Sequence, residues 1–435
     1  MKPSSLPFFA GTIVAAALLS ACSQSQVQEH AQSSSSDLKS SVVIQYANIA
    51  EAVYEDSLIT AIALRDQITV FLANPTEDNL TKAKAAWVAA RVPYQQSEVY
   101  RFGNPIVDDW EGKVNAWPLD EGLIDYVDTG SYGQESDVNE LYNANIIANT
   151  SLNIGGETLD VSKITPELIA EHLHEADGVE ANVASGYHAI EFLLWGQDLN
   201  GTNKGAGERP ASDFDLQNCT NGHCDRRRDY LLAATDLLIS DLQEMSENWK
   251  KAGAARVALL EQSTEQGLST ILTGMGSLAY GELGGERTKL GLLLHDPEEE
   301  HDCFSDNTHY SHYYDAKGIK NAYLGEYTRV DGSVLSGPSL STLVQQAQPS
   351  LDVTMRTRLM ATEAAAQVMV DQAMQGNTFD VLIGMNNSAG NKIVNNFIDS
   401  LVSETRTTEE IIRLLDLEGI TLEGSDSLDN PESVF

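Results

Sequence analysis

Apolar residues recur every three or four positions along most of this 435-residue chain, the pattern typical of amphipathic α-helices. The longest such run, from Val42 to Leu72, contains no Pro or Gly, and Asn74-Pro75 ends it. The same pattern predicts further helices over residues of about 78–100, 166–176, 179–195, 226–251, 254–272 and 350–375. Alternation with a period of two is almost absent. We therefore predict an all-α protein made of two helical bundles packed against each other.

The two predicted bundles meet where the helical pattern breaks, near Glu247 to Gly253. This places the N-terminal bundle over residues 38–247 and the C-terminal bundle with its tail over 248–435. Between Gly103 and Gly156 no period holds, because Gly, Pro, Asn and Trp interrupt the pattern. We expect a long irregular segment there, and a loop of that length inside a compact domain is usually functional.

Two helix starts are predicted from the spacing of a capping box, in which a short polar residue precedes an acid by three positions. Asp177 and Glu180 stand in front of the apolar stretch 181–195, and Thr407 and Glu410 stand before Ile411.

The first residues resemble an export signal. Lys2 is followed by an uncharged apolar run over 6–19 and then by Leu19-Ser20-Ala21-Cys22, which resembles a bacterial lipobox. Residues 1–21 would be a signal peptide, and acylated Cys22 would anchor the protein to a membrane through several chains. The alternative is a plain secretory signal, with Cys22 entering a disulfide. Residues 22–37 are rich in Ser and Gln, which predicts a flexible tether, and Ser23 favours the outer membrane facing the periplasm by analogy with Gram-negative sorting.

Acidic residues far outnumber basic ones. The chain has 27 Lys and Arg against 64 Asp and Glu, a net charge of −37. A surface of this charge repels phosphate backbones and attracts cations, so we expect no nucleic-acid partner.

Four cysteines are consistent with export. Cys219 and Cys224 flank a polar turn, so a disulfide between them is expected in an oxidising compartment, and Cys303 is left over. A metal-thiolate site is the alternative, although no second Cys pair has zinc-ribbon spacing.

The clearest chemical signal lies in the apolar stretch 181–195, whose only charged residue is Glu191. His188 lies three positions earlier, so both side chains share one face of a helix. A carboxylate on so apolar a helix must be paired, because burying it alone costs several kcal/mol. The partner is the imidazole of His188, an Arg from another segment, or a metal ion. The same spacing at His172/Glu175 and His295/Glu298 is more simply explained by exposed surface and by a turn.

The segment Gly186-Tyr187-His188-Ala189-Ile190-Glu191 resembles the GxHxxE motif of the imelysin family, which includes insulin-cleaving metallopeptidase-like proteins and the iron-regulated protein A group. Further blocks resemble the family in order along nearly the whole chain from Leu38: RVPYQQSEVYRFGNPIVDDWEGKVNAWPLDEGLIDYV, LTGMGSLAYGELGGER, EEEHDCFSDNTH and LEGSDSLDNPESVF. One departure is Asp302, at a position where the family usually has Ser.

This resemblance implies an envelope protein with two helical bundles, a metal ion at His188 and Glu191, and a link to iron. Iron is favoured and zinc is possible. The implied partners are the ion, the membrane at Cys22, and iron-transport proteins of the envelope.

Two residues cannot complete a coordination sphere, so further ligands are expected. Glu98 is the first choice, because carboxylates suit iron and zinc. Asp120 and Glu121 are second choices, although both are also suited to the start of a helix. The segment 301–309 is dense in potential ligands, of which Asp306 and His309 are preferred; the alternative is a loop whose polar side chains cap neighbouring helices.

Two functions compete, and a third possibility is a purely structural envelope protein in which His188 and Glu191 form a buried pair. One is an envelope lipoprotein that binds a metal ion, favouring iron, in iron acquisition or homeostasis. The other is a zinc metallopeptidase, which needs an activated water and a general base. The His-Glu-x-x-His pattern of the common zinc peptidases is absent from the sequence, and metal binding without catalysis is preferred.

Overall fold

The computed structural model describes residues 17–417 and 419–435, with side chains from Asp37 onward except at 418. The predicted lipidation site Cys22 and the predicted signal peptide 1–21 lie outside the described side chains. The predicted tether 22–37 falls within the bounds of the first helix. All three of these assignments stay predictions. None of the described helices is both long enough and apolar enough to cross a membrane.

Helices dominate the described residues, which confirms the all-α prediction. In chain order they are α1 (Ala17–Ala73), α2 (Glu77–Ser97), α3 (Pro105–Asn115), α4 (Glu121–Ile124), α5 (Pro166–Leu168), α6 (Gly186–Trp195), α7 (Cys224–Trp249), α8 (Ala254–Leu260), α9 (Thr264–Ser277), α10 (Leu290–Leu294), α11 (Thr308–Leu324), α12 (Leu340–Ala347), α13 (Pro349–Ala373), α14 (Phe379–Ile383), α15 (Ser388–Leu414) and α16 (Asp426–Asp429). Two segments, Ile169–Leu173 and Leu278–Lys289, are π-helical.

Two short antiparallel hairpins interrupt the helices. Strands β1 (Ser151–Ile154) and β2 (Glu157–Asp160) form the first, with Ser151 opposite Asp160, and β3 (Glu326–Thr328) and β4 (Val334–Ser336) form the second. The predicted irregular segment is present, since α4 is the only helix of the described chain between α3 and β1.

One continuous apolar core connects the two halves of the chain. In the first half, α1 packs against α2 and α7, and α6 packs against α2, α3 and α7. In the second half, α13 packs against α11 and α15, while α11 also packs against α2. The α2–α11 contact therefore brings the segment before α11 close to α6.

Three helix boundaries differ from the predictions. Helix α6 begins at Gly186 and not at residue 179: Asp177 has a positive φ angle and caps no helix, and the positive φ of Gly186 prevents the helix from extending back beyond it. Thr407 and Glu410 lie inside α15 and start no helix. The predicted helix over 254–272 is two helices, since Ser263 and Gln266 form a capping box that starts α9.

The irregular segment is fixed by arginines that follow it in sequence. Arg209 and Arg227 both donate to Asp125, at distances of 2.6 Å from Arg209 Nη1 and from Arg227 Nε to Oδ2. Arg226 donates to five backbone carbonyl groups, those of Ile146, Ile147, Asn149, Val161 and Ser162. The disulfide between Cys219 and Cys224, with Cα atoms 5.9 Å apart, closes the turn before α7. These contacts hold a segment that lacks regular structure of its own.

A buried carboxyl group in α15 has no charged partner among the described residues. Glu404 is 1% exposed, its Oε2 accepts a hydrogen bond from Thr362 in α13, and its Oε1 has no partner among the described residues. Burial raises the pKa of Glu404 to about 7. The folded state therefore favours the protonated form of this side chain.

The Glu404→Gln variant should become more stable than the wild type as pH rises. Because the folded pKa lies above the unfolded value, the wild type loses stability between about pH 4.5 and pH 7, whereas Gln cannot ionise. We expect similar free energies of unfolding near pH 4.5 and a variant more stable by up to about 3 kcal/mol above pH 7. Urea denaturation across this range measures the difference. A difference that does not change with pH would contradict the assignment.

Candidate metal centre

Helix α6 carries the GxHxxE residues through the centre of the first half of the chain. All ten of its residues are buried. It begins at Gly186 with φ of +77°, and a Cβ atom there would lie 2.4 Å from the carbonyl oxygen of Val114 at the end of α3. The glycine of the motif is therefore required by both backbone conformation and contact, and it sets the position of His188 two residues later.

His188 and Glu191 contact each other as their spacing predicted. His188 Nδ1 forms a 3.1 Å hydrogen bond with Glu191 Oε2, and both side chains are fully buried. The other oxygen of Glu191 accepts hydrogen bonds from the backbone N–H and the hydroxyl of Ser305, at 3.0 and 2.6 Å. His188 Nε2, in contrast, is buried without a hydrogen-bond partner among the described residues.

Asp302 lies beside this pair. Its Oδ1 lies 4.0 Å from His188 Nδ1 and accepts a 2.8 Å hydrogen bond from Arg91 Nη2 in α2. Its Oδ2 accepts from Asn307 at 2.8 Å and from the hydroxyl of Ser311 in α11. Asp302 therefore joins the first half of the chain to the second.

A second imidazole completes the cluster. The rings of His301 and His188 lie 4.9 Å apart between centroids, nearly perpendicular, and Trp117 covers His188 at 5.0 Å. One ligand atom from each of His188, His301 and Asp302 lies within 4.8 Å of the other two. These three side chains could hold one metal ion between them.

An open cavity of about 500 Å³ reaches the cluster at His301 and Trp117. Six glutamates and two arginines line it: Glu111, Glu175, Glu180, Glu282, Glu286, Glu299, Arg101 and Arg287. Its acidic lining attracts cations, so the cavity offers them a route to His301.

Burial strongly shifts the protonation equilibria of the two histidines and two acids in this cluster. It lowers the pKa of His188 to about 3, with a further contribution from Arg91, and holds the pKa of His301 well below its usual range. Both rings are therefore neutral, which is the form that binds metals. Burial and the charge of Asp302 raise the pKa of Glu191 well above its usual range. Burial opposes the ionisation of Asp302, but Arg91, His188 and the hydrogen bonds from Ser311 and Asn307 together outweigh it and lower the pKa of this carboxyl group.

The residues fit a metal ion in chemical type. Two neutral imidazoles and one carboxylate are ligands suited to iron and zinc. A buried imidazole nitrogen without a partner, as at His188 Nε2, is costly in a folded protein and is the atom a metal ion would satisfy. Glu191 and Ser305 then orient the ring, as polar partners commonly do for metal-binding histidines.

Glu98, the first choice for a further ligand, lies in a different network. It is 2% exposed, and its Oε2 accepts a 2.7 Å hydrogen bond from Arg287 Nη2. Arg287 also pairs with Asp315 and Glu282. Glu98 is not in the group that meets at His188.

Asp120 and Glu121 lie at the start of α4, outside this group. Asp120 accepts a 2.5 Å hydrogen bond from Asn139. Glu121 is buried, and burial together with the charge of Glu298 raises its pKa to about 8.

Asp306 and His309 also lie outside it. Asp306 is grouped with Asp198 and Asp380. Burial lowers the pKa of His309 to about 4, and its Nδ1 has no partner among the described residues.

Sequence reasoning missed His301 and Asp302 as members of the site, although both lie in the block EEEHDCFSDNTH that carries the family resemblance. The available signal was Asp302, a charged residue where the family usually has Ser.

The comparisons with known proteins agree with this fold. The family model for imelysin matches residues 50–408, so the chain belongs to the imelysin family. A curated relative, iron-regulated protein A of Synechococcus elongatus, is 30% identical over 109 residues, which are 25% of this chain and 28% of that protein.

Two crystal structures share the fold. One is described as a candidate iron-regulated protein A precursor from Parabacteroides distasonis; it has a TM-score of 0.63 and 19% identity, covering 87% of this chain and 95% of that one. The other is an imelysin-like protein from Psychrobacter arcticum, with a TM-score of 0.55 and 15% identity over 88% of this chain and 96% of that one.

Replacing Gly186 by Ala should be far more damaging than the same change at Gly156. The new Cβ would combine an unfavourable positive φ with a clash against Val114. We expect a loss of about 3 kcal/mol or more in the free energy of unfolding, measured by urea denaturation. Gly156, with φ of +83° and no atom within 4 Å of its added Cβ, is the matched control. Gly156→Ala should lose only about 1–2 kcal/mol; equal losses would show that the contact with Val114 is unimportant.

Proposed function

We propose that the protein binds a metal ion, favouring iron, through His188, His301 and Asp302, and that it acts in iron acquisition or homeostasis. We further propose that it does so as a lipoprotein of the bacterial envelope, anchored at Cys22 and facing the periplasm. The family membership supports this proposal only in general terms. The specific support comes from the site.

The observation that carries the proposal is the unpartnered Nε2 of His188 in a fully buried cluster. A simple buried ion pair between His188 and Glu191 would explain the Nδ1 contact but not the convergence of a second neutral imidazole and an ionised carboxylate on the same ring. A bound cation explains the unpartnered Nε2, the second imidazole and the carboxylate together.

The ligand types favour iron. Two histidines and one carboxylate form the ligand set of many non-haem ferrous sites, and no thiolate belongs to the group. The name of the Synechococcus relative, iron-regulated protein A, is consistent with this choice.

Arg91 sets a limit on affinity. Its guanidinium group holds Asp302 at 2.8 Å and packs on the rings of Trp87 and Tyr187, at 5.5 and 5.0 Å from their centroids. An incoming cation must share Asp302 with this fixed positive charge. Such competition suits a protein that passes its ion on.

The zinc metallopeptidase is the alternative. Glu191, buried and held by Ser305, is the carboxyl group nearest to the cluster that could serve as a base. However, the open cavity reaches His301 and Trp117 and is not lined by His188 or Glu191. A peptide bond would have to displace Trp117 to reach them, so ion binding has the better support.

Metal titration tests the proposal. Purified protein, stripped with chelators, is titrated with ferrous iron under anaerobic conditions and separately with zinc, with calorimetric detection. We expect His188→Ala and His301→Ala each to lower the affinity by more than about 100-fold, and Glu191→Gln by about 10–100-fold because it only orients the ring. His172→Ala, at an exposed histidine outside the site, is the matched control and should bind as the wild type does.

If all of these proteins bind the metal ion equally, His188 and His301 are not its ligands. Metal-dependent cleavage of an unfolded protein substrate, abolished in the His188 and Glu191 variants, would instead establish the peptidase.

A further inference from the structure

We propose that Asp198, Asp306 and Asp380, with Glu300 beside them, form a second cation site, separate from the first, and that it takes a calcium ion. The four carboxylates come from three separate parts of the chain. Asp198 follows α6, Glu300 and Asp306 lie in the loop before α11, and Asp380 lies in α14.

The oxygens converge at distances suited to one ion. One carboxylate oxygen from each of Asp198, Asp306 and Asp380 lies within 4.8 Å of the other two. Ligands bound to calcium at 2.3–2.6 Å lie at most about 5 Å from one another, so these three can share an ion. Glu300 lines a narrow cavity together with Asp198, which places it beside the group.

The buried oxygens lack partners. Glu300 is 0% exposed and neither of its carboxylate oxygens has a hydrogen-bond partner among the described residues; the same holds for both oxygens of Asp380 and for Oδ1 of Asp306. Among the described side chains, no Lys or Arg nitrogen lies within 4.0 Å of any of the four residues. The buried acid of the first site, Asp302, is by contrast paired with arginine.

The carboxylates of Asp198, Asp306 and Asp380 repel one another when they are ionised, because their oxygens lie within 4.8 Å of one another. Burial, with the neighbouring charge of Asp380, raises the pKa of Asp306 to about 8, so the cluster is unfavourable when it is ionised and without a cation.

The ligand chemistry points to calcium. Every atom offered is an oxygen, with the hydroxyl of Thr378 3.4 Å from Asp306 Oδ2. Oxygen-only sites select hard cations, and acids contributed by separate loops match the adaptable geometry of calcium better than the strict octahedron of magnesium. No imidazole belongs to the group, which disfavours zinc.

The ion would fasten the loop that carries the first site. Glu300 and Asp306 flank His301, Asp302 and Ser305 in sequence, and Asp198 lies three residues after the end of α6. A cation bound to Asp198, Asp306 and Asp380 ties this loop to α6 and to α14. The second site is thus structural, and it can exist whether or not iron binds at the first.

Thermal unfolding with and without calcium tests the site. Chelator-stripped protein is melted in EGTA and in calcium chloride. For the wild type we expect calcium to raise Tm by about 3 °C or more at a hundredfold excess over Kd, with one calcium bound per chain in calorimetry. Asp380→Asn should lose this rise. In EGTA, however, the variant should be at least as stable as the wild type, because it removes one repelling buried carboxylate.

Two control variants show whether the calcium response belongs to this cluster. Glu404→Gln changes a buried carboxyl group outside the cluster that has no charged partner, and it should keep the full calcium-dependent rise. His188→Ala should also keep it, so a failure of the first site would leave this result unchanged. The proposal is overturned if calcium leaves the Tm of the wild type unchanged, if Asp380→Asn responds to calcium as the wild type does, if His188→Ala abolishes the response, or if zinc stabilises at concentrations where calcium does not.

Discussion

The fold of this imelysin-family protein depends on how it compensates the buried charge of Asp302. A carboxylate with no exposed surface costs several kcal/mol unless other groups replace its water. Arg91 from α2 supplies the opposite charge, and Asn307 and Ser311 supply hydrogen bonds from the second half of the chain. The two halves must therefore come together for either ion to be buried. The same constraint brings His301 against His188, so the contact that joins the halves also assembles the candidate metal site.

The position of His188 is fixed from two directions. On one side, Gly186 allows the backbone of α6 to approach Val114 in α3 more closely than any other residue could. On the other, the loop of Ser305 holds Glu191, which in turn holds the imidazole. Because the whole helix is buried, the ring has little freedom to adjust. A site built in this way keeps its geometry before an ion arrives, which lowers the cost of binding.

Features set by residues close together in the sequence were predicted, whereas contacts between residues far apart in the sequence were missed. The all-α fold, the long irregular segment and the shared face of His188 and Glu191 follow from spacing within a few residues, which periodicity reveals. The meeting of His188 with His301 and Asp302 joins positions more than a hundred residues apart, and no local pattern encodes it. Glu98 was selected because its chemistry suits a metal, yet Arg287, also far away in sequence, pairs with it. The start of α6 was misplaced because an acidic spacing resembled a capping box, whereas Asp177 has a positive φ angle and the helix begins only at Gly186, whose φ is also positive.

The buried acids of the described chain are of two kinds: some are paired with arginine, and others have no basic partner. Asp125, Glu98 and Asp302 each have an arginine within 3 Å, and these contacts hold the halves and the irregular segment together. The carboxylates around Asp380 have no such partner in the described part of the chain. With 27 basic residues for 64 acids, the protein cannot pair every carboxylate internally. Exposed acids are compensated by water and salt. A buried acid without a basic partner is either held protonated, as Glu404 is, or compensated by a cation from solution, as we propose for the cluster around Asp380.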